Sequence, residues 1–177
     1  MVSGLALGID AMSHRGNLSG GVPGYAVLGS GVDEIYPSAN RPLAKKILDS
    51  GGALISEYPP GVRPGKWTFP ARNRIISALS RSVLIVQAPQ KSGALITAAF
   101  ALEQGKELWV ASCGVKQGAF DNGGTRSLAH DGADVIYTER DIFERWGMEV
   151  APNAEDASGA MGGRDISSIA NFLKLEI

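Results

Sequence analysis

The chain has 177 residues, of which 44% are apolar and 20% charged, a composition ordinary for a soluble globular protein. Cys113 is the only cysteine, so an internal disulfide is excluded, and with two histidines far apart in sequence no metal-site spacing exists. No apolar run approaches the roughly 18 residues of a membrane helix, and no secretory signal is recognisable. We therefore expect a cytoplasmic protein with no cofactor, no bound metal and no membrane partner.

Short apolar runs alternate with helical segments along the chain. The predicted strands are residues 25–28, 53–56, 83–87, 108–111 and 135–137. The predicted helices run from Asn40 to Gly51, from Ser92 to Gly105 and over residues 125–131, with a further helix opened by Pro70. This alternation is typical of a doubly wound α/β fold with a mostly parallel sheet. In such folds ligands bind at the edge where strands end and helices begin.

The two ends of the chain are less regular. Met1 to Gly4 resemble the last turn of a strand whose body is missing, and Pro, Asn, Ser and Gly dominate from Trp146 to Gly163. Residues 166–177 show helical spacing. We predict one domain over residues 1–147, and a linker with a short C-terminal segment over residues 148–177.

Basic and acidic residues are unevenly distributed along the chain, although their totals are nearly equal, at 17 basic and 18 acidic residues. No aspartate or glutamate occurs between Glu57 and Glu103, whereas several cations do. They are Arg63, Lys66, Arg72, Arg74, Arg81 and Lys91. Because local clusters of cations near helix starts suit a phosphate-rich ligand, this stretch predicts nucleic-acid binding.

The segment from Lys66 to Arg74 carries the strongest site prediction. Arg72 and Arg74 near a helix start oppose the helix dipole, which indicates that an anion sits there. With Lys66 they would neutralise phosphates, and Phe69 or Trp67 would stack on an unpaired base.

Other roles are open for the same segment. Asn73 would hold the loop or contact the nucleic-acid backbone. The aromatic residues could instead be core anchors, and the arginines could be solvated or paired with Glu57 or Asp33.

Two glycine-containing loops are further candidates. Lys91, Ser92 and Gly93 lie between a strand and a helix, where Lys91 would bind phosphate and the other two would donate backbone N–H groups. A Walker phosphate-binding pattern is absent. Gly29 and Ser30 follow the strand at residues 25–28, and contact with phosphate is an open alternative to an ordinary tight turn.

An enzymatic site is a weaker interpretation of the sequence. Asp10 and His14 stand four residues apart on a predicted helix and could hydrogen-bond, but no suitably placed nucleophile accompanies them. We expect hydrogen bonding between helix and core instead, and a buried, apolar role for Cys113.

Five sequence blocks in register resemble the DNA-processing protein A (DprA/Smf) family. They begin at Ser3 (SGLAxGIDx3H), Val27 (VLGxGxDx2YP), Ser56 (SEYPPG), Phe69 (FPxRNRII) and Ser92 (SGALIT). The resemblance implies an extended Rossmann-like fold, a homodimer, and a basic pocket that binds single-stranded DNA without catalysis. It also implies protection of incoming DNA during natural transformation and loading of the RecA recombinase.

The chain departs from the family pattern at two places. It lacks the first βα unit, whose Gly-Ser-Arg loop contributes to the pocket, and Leu7 replaces the usual arginine. Related folds leave two alternatives: a nucleotide-cleaving phosphoribohydrolase of the lysine-decarboxylase-like group and a small-nucleotide sensor. The enzyme is disfavoured because Phe100 occupies the position of its substrate-binding glutamate.

Overall fold

A computed structural model describes residues 1–116 and 121–148. These residues form six short strands and seven α-helices, in the order that a Rossmann-like α/β fold requires, so the predicted fold class is confirmed. The strands are β1 Val2–Ser3, β2 Tyr25–Val27, β3 Ala53–Ile55, β4 Ser82–Ile85, β5 Glu107–Ala111 and β6 Asp134–Ile136. The helices are α1 Ile9–Ser19, α2 Arg41–Asp49, α3 Thr68–Ala78, α4 Gly93–Glu103, α5 Ser112–Val115, α6 Gly123–His130 and α7 Glu139–Arg145.

The strands form two three-stranded parallel sheets, in the orders β1-β2-β3 and β4-β5-β6. In the first sheet Val2 is opposite Tyr25, which is in turn opposite Ala53. In the second, Trp109 is opposite Asp134. All five strands predicted from apolar runs exist, with ends that differ by one or two residues.

The first sheet packs against α1 and α2 through a small aliphatic core. Leu5, Ala26, Leu28 and Ile47 are almost completely buried there. In α2, Pro42 stands in the first helical turn, where its missing N–H needs no partner. Gly51 after the helix has a φ of 81°, a conformation that glycine adopts without strain.

The second sheet has an aromatic core of its own. Trp109 is 3% exposed, and its ring lies 5.9 Å from that of Trp146, centroid to centroid. Ala111 and Ile136 complete the buried cluster.

The fold divides into two compact units. The first comprises Met1–Val83 with Gly93–Glu107, and the second comprises Leu84–Ser92 with the chain from Leu108 onward. Within the described residues, no helix is long and apolar enough to cross a membrane. Except for Met148, the predicted linker and C-terminal segment lie outside the described residues.

The hydrogen bond that the spacing of Asp10 and His14 would allow is not made. The Asp10 carboxylate instead accepts the backbone N–H groups of Gly4, at 3.0 Å, and Ala6, at 3.2 Å. His14 is fully buried, and neither of its ring nitrogens has a hydrogen-bond partner among the described residues. The loop that leads into α1 supplies the hydrogen-bond donors of the Asp10 carboxylate, and the His14 side chain makes no hydrogen bond to the described part of the core.

Candidate nucleic-acid interface

A local hydrogen-bonded turn fixes the start of α3. The buried hydroxyl of Thr68 donates to the carbonyl oxygen of Gly65 at 2.8 Å and accepts the N–H of Gly65 at 3.0 Å. The helix therefore begins at Thr68, two residues before Pro70, which stands in the first turn and needs no N–H partner there. This turn sets the directions of the two aromatic side chains on either side of Thr68.

Phe69 lies directly against the glycine loop that follows β2. A Cβ atom built on Gly29 would be only 2.9 Å from Cδ1 of Phe69, so the close approach of ring and backbone depends on glycine. The half-buried Phe69 ring also lies 5.6 Å from the ring of Tyr36, centroid to centroid. Two predicted site residues, Gly29 and Phe69, are therefore adjacent.

Ser30, the neighbour of Gly29, is 2% exposed. Its hydroxyl donates to the carbonyl oxygen of Glu34 at 2.6 Å, and its own carbonyl accepts the Ser56 hydroxyl at 2.6 Å. The Ser30 side chain thus connects the loops after β2 and β3.

Arg72 points into the first unit and is 6% exposed. Its Nη1 donates to the carbonyl oxygen of Gly4 at 2.8 Å and also to that of Val27. Burial lowers the pKa of the guanidinium, and the charge of Asp10 opposes that shift. In this position Arg72 ties α3 to the ends of β1 and β2. The geometry does not support the predicted phosphate contact, because the face of α3 that carries Arg72 packs onto the sheet.

Arg74 is exposed and forms an ion pair with Glu57, the alternative that the sequence had left open. Asn73 donates from Nδ2 to the carbonyl oxygen of Gly93 at 3.3 Å, which joins α3 to the start of α4. Gln104 at the other end of α4 donates to the Arg74 carbonyl oxygen at 3.1 Å. Asn73 therefore links α3 to the first residue of α4.

Lys66 and Trp67, which precede α3, are both exposed to solvent. Trp67 is 68% exposed and contacts Tyr58 edge to face, with ring centroids 5.8 Å apart and an interplanar angle of 79°. Arg63 is exposed as well. This surface therefore combines cations with aromatic rings.

Lys91 is exposed and Ser92 is half-buried, and both belong to the second unit. The N–H of Ser92 donates to the carbonyl oxygen of Pro89 at 3.2 Å. Gly93 belongs to the first unit, and a Cβ built there would meet no described atom within 4 Å. A single binding surface formed by Lys66 and Lys91 together remains a prediction.

Two tyrosines at this edge were not among the predicted site residues. Tyr36 follows β2 and backs Phe69, while Tyr58 follows β3 and backs Trp67. Each is followed immediately by a proline, and each stands shortly after a strand. That repeated Tyr-Pro pair is the signal that could have identified them.

The fold and the site define a Rossmann-like α/β protein with a glycine loop beside an aromatic, cationic helix start. The family model for DNA recombination-mediator protein A matches residues 1–147, and the chain belongs to that family.

Curated relatives show similarity over most of the chain. It is 45% identical over 147 residues to Protein Smf of Synechocystis sp., an alignment covering 83% of the chain and 36% of that protein. It is also 45% identical over 146 residues to DNA processing protein DprA of Bacillus subtilis, an alignment that covers 81% of the chain and 48% of that protein. The chain thus spans half or less of the length of these relatives.

Two solved structures have the same fold. DNA processing protein A of Streptococcus pneumoniae matches with a TM-score of 0.73 and 36% identity, over 85% of this chain and 51% of that one. DNA processing protein A of Helicobacter pylori matches with a TM-score of 0.71 and 32% identity, over 82% of this chain and 64% of that one. That protein is described as having a unique single-stranded DNA binding mode.

Proposed function

We propose that this chain binds single-stranded DNA in natural transformation and recombination, and that it does so without catalysing a reaction. The observation that carries the proposal is the start of α3, where Phe69 rests on Gly29 beside exposed cations, in a chain of the DNA recombination-mediator family. Aromatic rings bind unpaired bases, and cations bind the backbone that connects them.

The surface residues have distinct roles in this proposal. Lys66 and Lys91 neutralise phosphates, and Arg74 contributes when it exchanges Glu57 for a phosphate oxygen. Phe69 stacks on a base. Arg72 acts from the interior by holding α3 on the sheet, and Asn73 links α3 to the start of α4.

A backbone donor completes the proposed site. The N–H of Gly93 lies at the start of α4, where the helix dipole favours an anion, whereas the N–H of Ser92 is already bonded to the carbonyl oxygen of Pro89. Gly29 and Ser30 are buried in the loop after β2 and shape the site from beneath, because Gly29 leaves room for the Phe69 ring.

The wider assignment follows from family membership. We propose a cytoplasmic homodimer that protects incoming single-stranded DNA and helps to load RecA. The related Helicobacter pylori protein is described as binding single-stranded DNA, and relatives from several bacteria carry the name DNA processing protein.

Nothing in the described residues favours a phosphoribohydrolase or a small-nucleotide sensor. The position where such hydrolases carry a glutamate holds Phe100, and glycosidic cleavage without a positioned carboxylate has little physical support. Free adenine released from AMP by the purified chain would contradict the non-enzymatic proposal. Binding of a mononucleotide as tight as that of an oligonucleotide of about ten bases would favour the sensor.

The main experiment measures oligonucleotide binding against salt. A fluorescently labelled oligo-dT of about 20 bases, followed by anisotropy with the full chain, should bind less tightly as salt rises. Lys66→Gln should reduce the slope of log K against log salt by about 0.7, the value for one phosphate contact on a single strand. Lys46→Gln, which removes an exposed charge from α2, is the matched control. A slope near zero in the unsubstituted chain would contradict the proposal.

A further inference from the structure

We infer that Trp67, supported by Tyr58, is a second stacking position for an unpaired nucleobase, distinct from the position at Phe69. This inference rests on the proposed function and extends it, because it assigns a second base-binding residue to the start of α3. The ligand is a single-stranded nucleic acid whose bases are free to leave their neighbours.

Exposure is the first observation. Trp67 is 68% exposed, the largest exposed fraction among the described large hydrophobic side chains. The other described tryptophans lie in the second core, where Trp109 is 3% exposed and Trp146 is half-buried. An indole buried in the core stabilises the folded state strongly. The exposed Trp67 ring does not contribute in that way, and its position suits contact with a ligand instead.

The Trp67 ring is nevertheless held in a defined place. Tyr58 meets it edge to face at 5.8 Å. On another side the indole lies over Gly65, where a built Cβ would be 3.3 Å from Nε1 and 3.6 Å from Cδ1. A ring supported in this way loses little conformational entropy when a base stacks on it, which favours binding.

The surrounding charge fits a nucleic acid. Lys66 and Arg63, on the same connection between β3 and α3, are exposed. Glu57, the nearest acidic residue along the chain, is paired with Arg74. A phosphate attached to a stacked base therefore has Lys66 and Arg63 close to it along the chain, in a stretch that holds no aspartate or glutamate between Glu57 and Glu103.

Trp67 and Phe69 cannot share one base. They are two residues apart at a helix start, where side chains separated by two positions point to different sides. Each has its own tyrosine partner, Tyr58 for Trp67 and Tyr36 for Phe69. Two stacking positions at one helix start select single strands over duplexes, because both faces of a paired base are covered by its neighbours in the duplex.

The test combines intrinsic fluorescence with affinity, using the full chain and unlabelled or labelled oligo-dT of about 20 bases. Because Trp67 is the most exposed described tryptophan, binding should quench the fluorescence, and Trp67→Ala should abolish that change. Trp67→Ala should weaken binding about tenfold, as expected for one lost base stack, with the salt slope unchanged. Trp67→Phe should restore most of the affinity. A duplex of matching sequence should produce little quenching.

Two controls separate binding from folding. Tyr137→Ala removes a 61% exposed aromatic ring from the second unit and should leave binding unchanged. Urea unfolding of Trp67→Ala should match that of the unsubstituted chain. If the unsubstituted chain binds oligo-dT without a change in its tryptophan fluorescence, and Trp67→Ala binds oligo-dT equally well, the stacking inference is overturned and the proposed function stands. If the unsubstituted chain does not bind oligo-dT at all, the proposed function itself fails.

Discussion

The Arg72 guanidinium donates to the carbonyl oxygen of Gly4 across 2.8 Å, which joins the third helix to the end of the first strand. A Cβ atom on Gly4 would lie 2.6 Å from both terminal nitrogens of that guanidinium, so the contact requires glycine on one side and a buried cation on the other. The most basic segment of the chain thus uses one of its charges for folding. Arg72 is therefore a structural cation, whereas Arg74 is an exposed one.

Arg72→Gln should destabilise the fold more than it weakens DNA binding. Removing the guanidinium leaves the carbonyl oxygens of Gly4 and Val27 without their donor, which costs about 2–3 kcal/mol of unfolding free energy. Urea denaturation measures that loss. The salt slope of oligo-dT binding, measured where the variant is folded, should stay within error of the unsubstituted value. A variant of full stability with a reduced slope would show instead that Arg72 binds phosphate.

Glu57→Gln should strengthen DNA binding by releasing Arg74. Because the ion pair is exposed, its loss should change stability by less than about 1 kcal/mol. The freed guanidinium should steepen the salt slope by about 0.7. Asp49→Asn is the matched control, since it breaks the exposed Lys45–Asp49 pair and changes the net charge equally. Equal gains in affinity from both variants would mean that net charge alone is responsible.

Gly29→Ala should displace Phe69. The new methyl group would lie 2.9 Å from the ring and 3.2 Å from the Thr68 hydroxyl oxygen, so the start of α3 must shift. We expect a loss of about 1–3 kcal/mol in stability and a several-fold loss of oligo-dT affinity. Gly16→Ala in the exposed interior of α1, where a Cβ would meet no described atom within 4 Å, should instead raise stability by up to about 1 kcal/mol. Anisotropy and thermal unfolding of both variants check this contrast.

His14 should make the fold sensitive to mild acid. Burial lowers its pKa below the ordinary value of 6.5, a shift that the charge of Asp10 opposes and the N-terminal ammonium reinforces. Below pH 6.5 the unfolded chain therefore binds a proton that the native chain does not, and stability falls as pH decreases, by at most about 1.4 kcal/mol per pH unit. Above pH 7 this contribution is constant.

Urea unfolding between pH 7.5 and 5.0 measures the effect. His14→Leu replaces the imidazole with an apolar side chain and should flatten the dependence, whereas His130→Gln, at an exposed position, should leave it unchanged. Parallel pH profiles for His14→Leu and the unsubstituted chain would refute this role for His14.

The five apolar strands and the longer helices were predictable from the chain, as was the segment that forms the candidate site, but the short helices α5 and α7 were not predicted. Apolar runs of strand length, helix-ending glycines such as Gly51 and Gly105, and the acid-free stretch are local properties that the sequence displays directly. Pairing of Arg74 with Glu57 was foreseen as one of several alternatives to phosphate binding.

The roles of individual side chains were decided by tertiary packing. Arg72 and Arg74 look equivalent in sequence, yet one points into the fold and the other faces solvent, because only one lies on the helix face that meets the sheet. Likewise, Phe69 fits against Gly29 while Trp67 stays exposed on Tyr58. The sequence shows directly which residues are charged or aromatic. The direction of each side chain depends instead on contacts with residues far away in sequence, and only the folded chain brings those residues together.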